Sequence, residues 1–557
     1  MKIRMILFLT LSVWFVCQTV KAQNTTRPNF IFILTDDQPY GYMGCTGNDI
    51  VNTPNLDQLA SEGVLFTNTH VTSAICTPSR ASILLSQYER QHGINFNSGT
   101  SLSPAAWEDS YPVRFRDHGY FTGWIGKNHV PVGEGGYESG VMEKSFDFWY
   151  AGHGHLGFYP KDRHEIFSNA EQDTQIEIIG EGVDYFLSSS EKEDGAMRFL
   201  KDRPADQPFM LSVCFNLPHS AGTRSMEMRA TDDDLYKSLY RELEIPLPDH
   251  YIEKKDITKP KLPEELLRTE DRQSGYDYVD TPADTREIYT RQLQALTGID
   301  RFVGNLRQVL EKEGLSENTV IVFTSDHGLF MGQYGLGGKA LCYEQTTHVP
   351  LIYYDPSLKN EVAGMRSNAL VQTIDIAPTM LGRARINVPD SYQGKSLGPL
   401  LAGQEEIRKY IFTENLWSTQ FGNPRCEAVQ NKEWKYIRYY ENNTIPAREK
   451  VKAAKKFDMP LNPLLYQVHD FDMVQYGYFA TAYQRSEAPV YEELYHLAKD
   501  PDELYNRIGD PEAQEVLRHF RKVWSEEIIE AAGTGYPRVL RYTYDSEIEH
   551  NRKYNSK

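Results

Sequence analysis

Asn29-Phe30-Ile31-Phe32-Ile33-Leu34-Thr35-Asp36-Asp37-Gln38 is an almost unbroken apolar run that stops on a pair of carboxylates. It has no apolar–polar alternation, so it reads as a strand covered on both faces, as in a parallel sheet. Adjacent carboxylates at the end of a buried strand are costly unless something cationic pairs with them. A solvated turn is the alternative. A counterpart lies far along the chain, where Thr319-Val320-Ile321-Val322-Phe323-Thr324 stops on Ser325-Asp326-His327-Gly328. Between the two runs, strand and helix patterns alternate. A capped helix opens at Thr53-Pro54, with Pro at its first position, and closes at Gly63, and a strand resumes at Val64. A helix is expected over 113–117, strands over 121–125 and 209–215, and helical periodicity fills 285–310. Strand, crossover helix, strand is the order of an α/β fold with a large doubly wound, mixed or parallel sheet flanked by helices. Ligands of such sheets bind beyond the carboxyl ends of the strands. Asp36, Asp37, Asp326 and His327 all occupy positions of that kind, which gives distant residues a physical reason to meet.

The chain has 557 residues, too many for one compact core, so a large domain with a smaller partner is expected. The expected division is a signal peptide over 1–22, a large domain over 23–400 that would carry any active site and a small α+β domain over 401–557. Strand candidates at 426–429, 435–440 and 493–497 and a helix over 513–532 place the smaller domain. A net charge of −18 argues against general binding to nucleic acid or anionic membranes. An anionic substrate would then need a local cationic pocket. Lys2 and Arg4, the apolar run 6–16 and Val20-Lys21-Ala22 have the form of a secretory signal cleaved after Ala22. The run is short for a membrane span, and Trp14-Phe15-Val16 before Cys17 is too bulky for a lipoprotein site. The protein is therefore expected to be exported, periplasmic or secreted, with no membrane span after cleavage. Cys45, Cys76, Cys214, Cys342 and Cys426 then remain, an odd set, so at least one stays outside intrachain disulfides. Residues 218–285 are charged and carry Pro246, Pro248, Pro260 and Pro263, which reads as a long excursion over the surface.

Ser73-Ala74-Ile75-Cys76-Thr77-Pro78-Ser79-Arg80-Ala81 places a cysteine at the expected N-terminus of a helix. Backbone N–H groups there favour an anion, and Arg80 one turn on adds a permanent charge. Alone, the stretch is equally well a buried cysteine. The three carboxylates Asp36, Asp37 and Asp326 with the imidazole of His327 make a mostly oxygen set. It suits Ca²⁺, or less well Mg²⁺, better than zinc. A thiolate is a soft partner for such a site. Cys76 would join it through oxygen only if oxidised at carbon to an aldehyde, whose hydrate carries two hydroxyls.

Cys76-Thr77-Pro78-Ser79-Arg80 resembles the C-x-P-S-R signature of the formylglycine-dependent (type I) sulfatases, within the alkaline-phosphatase-like fold. Further blocks resemble that family in order: 28–37, 52–66, 119–129, Pro218-His219, Ser325-Asp326-His327-Gly328 and 339–351. The resemblance spans roughly 28–400, and the later strands resemble the family's small second domain. It implies a formylglycine at Cys76, made by a formylglycine-generating maturase. It also implies Ca²⁺ bound by Asp36, Asp37, Asp326 and His327 together with the modified Cys76. The hydrate would attack sulfur, release the alcohol and then eliminate sulfate. Arg80 and Lys127 would hold the hydrate and the sulfate oxygens. His129 would be the base of the second step, and His219 and Lys339 would act at the bridging oxygen. Glu344 and His348 read as packing or loop fixation.

The chain departs from the family at several places. Asn128 stands where Trp is common and His327 where many members have Asn. Ser220-Ala221 lacks the usual second Pro, and Ser86-Gln87 replaces Thr-Gly. The implied substrate is a sulfated oligo- or polysaccharide, such as a glycosaminoglycan or ulvan. Gly152-His153-Gly154-His155 through Lys161-Asp162-Arg163-His164 concentrates polar and cationic groups, so His155 and Arg163 are expected to touch the sugar. A solvated loop is the alternative. A phosphodiester or phosphonate monoester hydrolase on the same scaffold is the nearest rival reading, and a non-catalytic carbohydrate-binding protein the next.

Overall fold

Alternate residues of the first apolar run go to opposite sides of one sheet. The computed structural model describes residues 27–95, 100–134, 136–153, 195–219, 238–263, 266, 277–416, 423–440, 479–533 and 539–541. Asn29–Asp36 is a strand buried from end to end. Ile31 and Ile33 pack beneath helices Pro54–Glu62 and Pro282–Lys312, the second contributing Leu293, Leu296, Ile299 and Phe302. Phe30, Phe32 and Leu34 face the other layer, with Ile83 and Leu84 of helix Cys76–Leu85, Phe115 of helix Tyr111–Asp117 and Met380 of helix Ile376–Arg383. Both faces are covered, which is why the run cannot alternate.

Among the described residues the sheet has 9 strands, eight on one path and a ninth, Val371–Gln372, paired parallel with Val64–His70 off it. Its path runs Met365–Ser367, Val64–His70, His348–Tyr354, Thr319–Ser325, Asn29–Asp36, Phe209–Pro218, Phe121–Asn128 and Phe148–His153. Pairing is parallel except where His348–Tyr354 lies antiparallel to both neighbours. The two apolar runs are adjacent and in step, Asn29 opposite Thr319 and Thr35 opposite Ser325. Asp36-Asp37 and Asp326-His327 therefore emerge side by side from one edge. The expected mixed, doubly wound sheet is what forms.

A second sheet of 4 antiparallel strands is made by Ile411–Asn415, Arg425–Gln430, Lys435–Tyr440 and Tyr491–Tyr495. One face packs on helix Gln514–Ala532 through Leu517, Phe520 and Val523. The other face, with Cys426, Ala428, Ile437, Tyr439 and Tyr495, lies on Phe330, Leu336, Leu341, Cys342 and Tyr343 of the first domain. Glu414 N–H donates to Thr72 O at 2.9 Å and the Thr413 hydroxyl to Val71 O at 3.1 Å, so the small sheet grips the chain just before Cys76.

Three local expectations change. Thr53 flanks its helix but makes no side-chain cap; its hydroxyl instead accepts from Gly44 N–H at 2.9 Å, fixing the preceding loop. Lys127 is inside strand Phe121–Asn128, opposite Gly152, and does not follow it. Residues 218–285 are more than a surface excursion. Leu262 and Leu266 are buried under the small sheet, and Tyr278 and Val279 are buried beside Ile288.

Glu89, next to the domain junction, is fully buried and accepts from the Ser73 hydroxyl at 2.9 Å and from Asn95. Burial and the nearby Glu414 push its carboxyl up to about 8. Its folded pKa lies above the unfolded value of about 4.3, so its contribution to stability is full below that pH and disappears as pH rises through about 8. Glu89→Gln should therefore gain on the parent as pH rises. Melting curves between about pH 6 and pH 9 check this, the Tm difference widening in the variant's favour at the alkaline end.

Candidate active site

The carboxyl ends of the central strands converge on Cys76. The turn after Asn29–Asp36 is laced to the turn after Thr319–Ser325. Asp326 N–H donates to Thr35 O at 3.1 Å, Asp37 N–H to Asp326 Oδ1 at 3.3 Å, and Gln38 N–H to Ser325 Oγ at 3.1 Å. Asp37 sits at φ 63°, left-handed and uncommon for a residue with a side chain. That backbone turns its carboxylate back toward the strand ends. Cys76 opens the helix Cys76–Leu85 and is fully buried.

Around the Cys76 sulfur stand Lys339 Nζ at 3.1 Å, His327 Nε2 at 3.3 Å and Asp36 Oδ1 at 3.6 Å. Lys339 also donates to Asp37 Oδ1 at 2.9 Å, and His327 Nδ1 lies 3.1 Å from the same oxygen. Arg80 donates from Nε to Asp326 Oδ2 at 2.8 Å and from a terminal nitrogen to Asp36 Oδ2 at 3.2 Å. Lys127 pairs with Asp36. His219 follows strand Phe209–Pro218, with Nε2 3.7 Å from Asp37 Oδ2, so it reaches the cluster without the second proline. His129 sits beside Arg80, Asn128 and Trp124 on a small internal cavity. His155 and Arg163 lie outside the described residues.

The charges are arranged in opposition. Burial works against the Asp36 carboxylate, but Lys127, Arg80, His219 and Lys339 outweigh it and hold its pKa well below the usual range. Burial raises Asp37, helped by Asp36 and Asp326 and opposed by Lys339 and His327. Burial disfavours charge on His327, yet Asp326, Cys76 and Asp37 push it up to about 9. His129 and His219 go the other way, held low by burial and then mainly by Lys127 and Lys339 respectively.

The residues fit a hard divalent cation. Potential ligand atoms of Asp36, Cys76, Asp326 and His327 lie within 4.8 Å of one another, as do those of Asp36, Asp37, Cys76 and His219. Asp37 Oδ2 is buried and accepts no hydrogen bond among the described residues. A buried carboxylate oxygen in that condition is costly without a cation. Sequence reasoning gave no role to Ser79 and Thr35, which fix the turns around this pocket. The Ser79 hydroxyl donates to Asp326 O, and Thr35 donates to the Gln38 side chain at 2.8 Å. Ser79 was findable, because it stands inside the signature one residue before Arg80. Glu344 pairs with Lys435 at 2.7 Å and lies 3.6 Å from His348, in keeping with loop fixation.

A doubly wound sheet gathers carboxylates, cations and a cysteine at the first turn of a helix at its carboxyl edge, an arrangement suited to the hydrolysis of anionic esters. Residues 28–386 match the Sulfatase family model, and the chain belongs to that family, hydrolases acting on sulfuric esters. Residues 332–448 match a second model, the C-terminal region of N-sulphoglucosamine sulphohydrolase. The N-acetylglucosamine-6-O-sulfatase of Bacteroides thetaiotaomicron is 26% identical over 569 residues, covering 92% of this chain and 88% of its own. Among solved structures, BT4656 in complex with its substrate D-glucosamine-2-N,6-O-disulfate superposes with a TM-score of 0.64 at 21% identity, covering 91% of this chain and 98% of its own. The phosphonate monoester hydrolase of Agrobacterium radiobacter shares the fold with a TM-score of 0.60 at 22% identity, covering 90% of this chain and 96% of its own.

Proposed function

We propose that this protein removes sulfate from a sulfated carbohydrate, with Cys76 matured to formylglycine as the nucleophile. The observation that carries the reading is the crowding of Lys339, His327 and Asp36 within 3.6 Å of the Cys76 sulfur. That sulfur stands in for the oxygens of the matured side chain. Asp36, Asp37, Asp326 and His327 would hold a divalent cation, Ca²⁺ in preference to Mg²⁺. The cation would supply Lewis acidity and orienting charge, and the formylglycine hydrate the attacking oxygen and a second hydroxyl for elimination.

The chain's own residues fill the remaining roles. Arg80 and Lys127 bring positive charge to the sulfate while neutralising Asp36. Lys339, beside the nucleophile, is the cationic donor placed to protonate the leaving alcohol. His219, held low in pKa, contributes a neutral N–H toward the same oxygen. His129, also held low, is neutral near pH 7 and able to take a proton in the second step. The carbohydrate part of the reading is supported by the glucosamine-type substrates named for the relatives. His155 and Arg163 keep their assignment as sugar contacts. Residues 401–557 form the smaller domain that closes on 23–400. Residues 1–22 direct export to the periplasm or beyond, and the formylglycine-generating maturase is the required partner.

The test is sulfate release by the matured protein from 6-O-sulfated glucosamine sugars and other sulfated saccharides, alongside matched phosphate esters. Sulfate esters should be preferred by about 10²-fold or more in kcat/KM. A chelator should abolish turnover, and Ca²⁺ should restore it better than Mg²⁺. Faster turnover of phosphate or phosphonate esters would contradict the reading, as would saccharide binding without turnover.

A further inference from the structure

The domain junction contains a second cysteine chemistry, separate from Cys76. Cys342 and Cys426 come from segments 84 residues apart, yet their sulfurs lie 3.5 Å from each other. Cys342 is 1% exposed and Cys426 0%. Cys342 follows Lys339-Ala340-Leu341, on the loop that brings Lys339 to the nucleophile. Cys426 is on strand Arg425–Gln430, an inner strand of the small sheet. The two share one apolar cluster with Leu341, Tyr343, Ala428, Ile437 and Tyr439.

This setting suits neither nucleophilic nor metal chemistry. Burial holds the Cys426 thiol well above its ordinary range, which leaves little thiolate to attack or to bind a metal. Two sulfurs already in contact need to close by only about 1.5 Å to reach bonding distance. We propose that Cys342 and Cys426 form an intrachain disulfide that ties the small sheet to the Lys339 loop. The S–S bond forms as both thiols lose their hydrogens, two protons and two electrons in total. The electrons reduce a partner disulfide, either glutathione disulfide or that of a thiol oxidoreductase, to its dithiol form. The cross-link closes a long loop across the junction, where a restraint on the unfolded chain is most effective. It also removes two of the thiols able to trap Cys76 in a wrong disulfide before maturation.

The bond would be made in an oxidising compartment, so its occurrence in the cell rests on the export reading. The experiment supplies the oxidant and stands apart from it. The full chain is refolded in a buffer of oxidised and reduced glutathione, alkylated and digested without reductant. The Cys342 and Cys426 peptides should appear joined, lighter by two hydrogens than their sum, and reductant should lower Tm by several degrees. Both thiols alkylated at every glutathione ratio would overturn the proposal, as would pairing of either one mainly with Cys76, Cys214 or Cys45. A joined pair whose reduction leaves Tm unmoved would overturn its role as a clamp.

Discussion

Changing Cys76 to alanine is expected to lower kcat/KM for a sulfate ester by about 10⁴-fold or more while leaving the fold intact. Removing a nucleophile removes the covalent route altogether, so the loss belongs in kcat, and substrate affinity should change little. The fold should survive for local reasons. Alanine keeps the helix start at Cys76–Leu85 and deletes one buried atom. Lys339 and His327 lose their contact with sulfur but keep Asp37 as a partner. A cost of about 1 kcal/mol is the expected scale for so small a truncation. Steady-state kinetics with a melting curve checks both halves. A variant that retains a tenth of the activity would mean that another group attacks sulfur.

The second large effect is on stability, at Arg90. Its guanidinium is buried at the junction between domains and donates to Glu414 Oε2 and Glu427 Oε1 at 2.7 Å each, and to Ala480 O at 2.7 Å. Its backbone N–H also donates to Glu414 Oε1 at 3.0 Å. Arg90→Leu fills part of the space but strands two buried carboxylates without their cation. Breaking a buried pair from one side costs about 3–5 kcal/mol. Denaturant unfolding should show a loss of that size, and further changes of Glu414 and Glu427 to glutamine should recover much of it. A loss below about 1 kcal/mol would show that the junction does not depend on this ion pair.

The fold was legible where physics leaves a strong local trace. The runs at Asn29 and Thr319 are apolar because both their faces are covered, and a carboxylate pair at the end of such a run stands out. The helix at Cys76 was readable from Pro78 and the residues around it. Lys127 was misplaced because Gly126-Lys127-Asn128 has the composition of a loop. The strand continues through it because its ammonium, brought into the core, finds Asp36. Residues 218–285 look solvated because charged residues and prolines are scattered through them and hide apolar positions such as Leu262 and Tyr278, which are buried. The double grip of Arg80 on Asp36 and Asp326 depends on residues 44 and 246 positions away, which no local pattern records. The meeting of Cys342 with Cys426 is hidden for the same reason.

The central claim is that Cys76 acts as an aldehyde and not as a thiol. The most direct measurement is the mass of the tryptic peptide containing Cys76, taken from protein made in its native host. The account predicts a peptide that has lost one sulfur and two hydrogens and gained one oxygen, in protein that also releases sulfate. A fully unmodified thiol in protein that releases sulfate at full rate would contradict it.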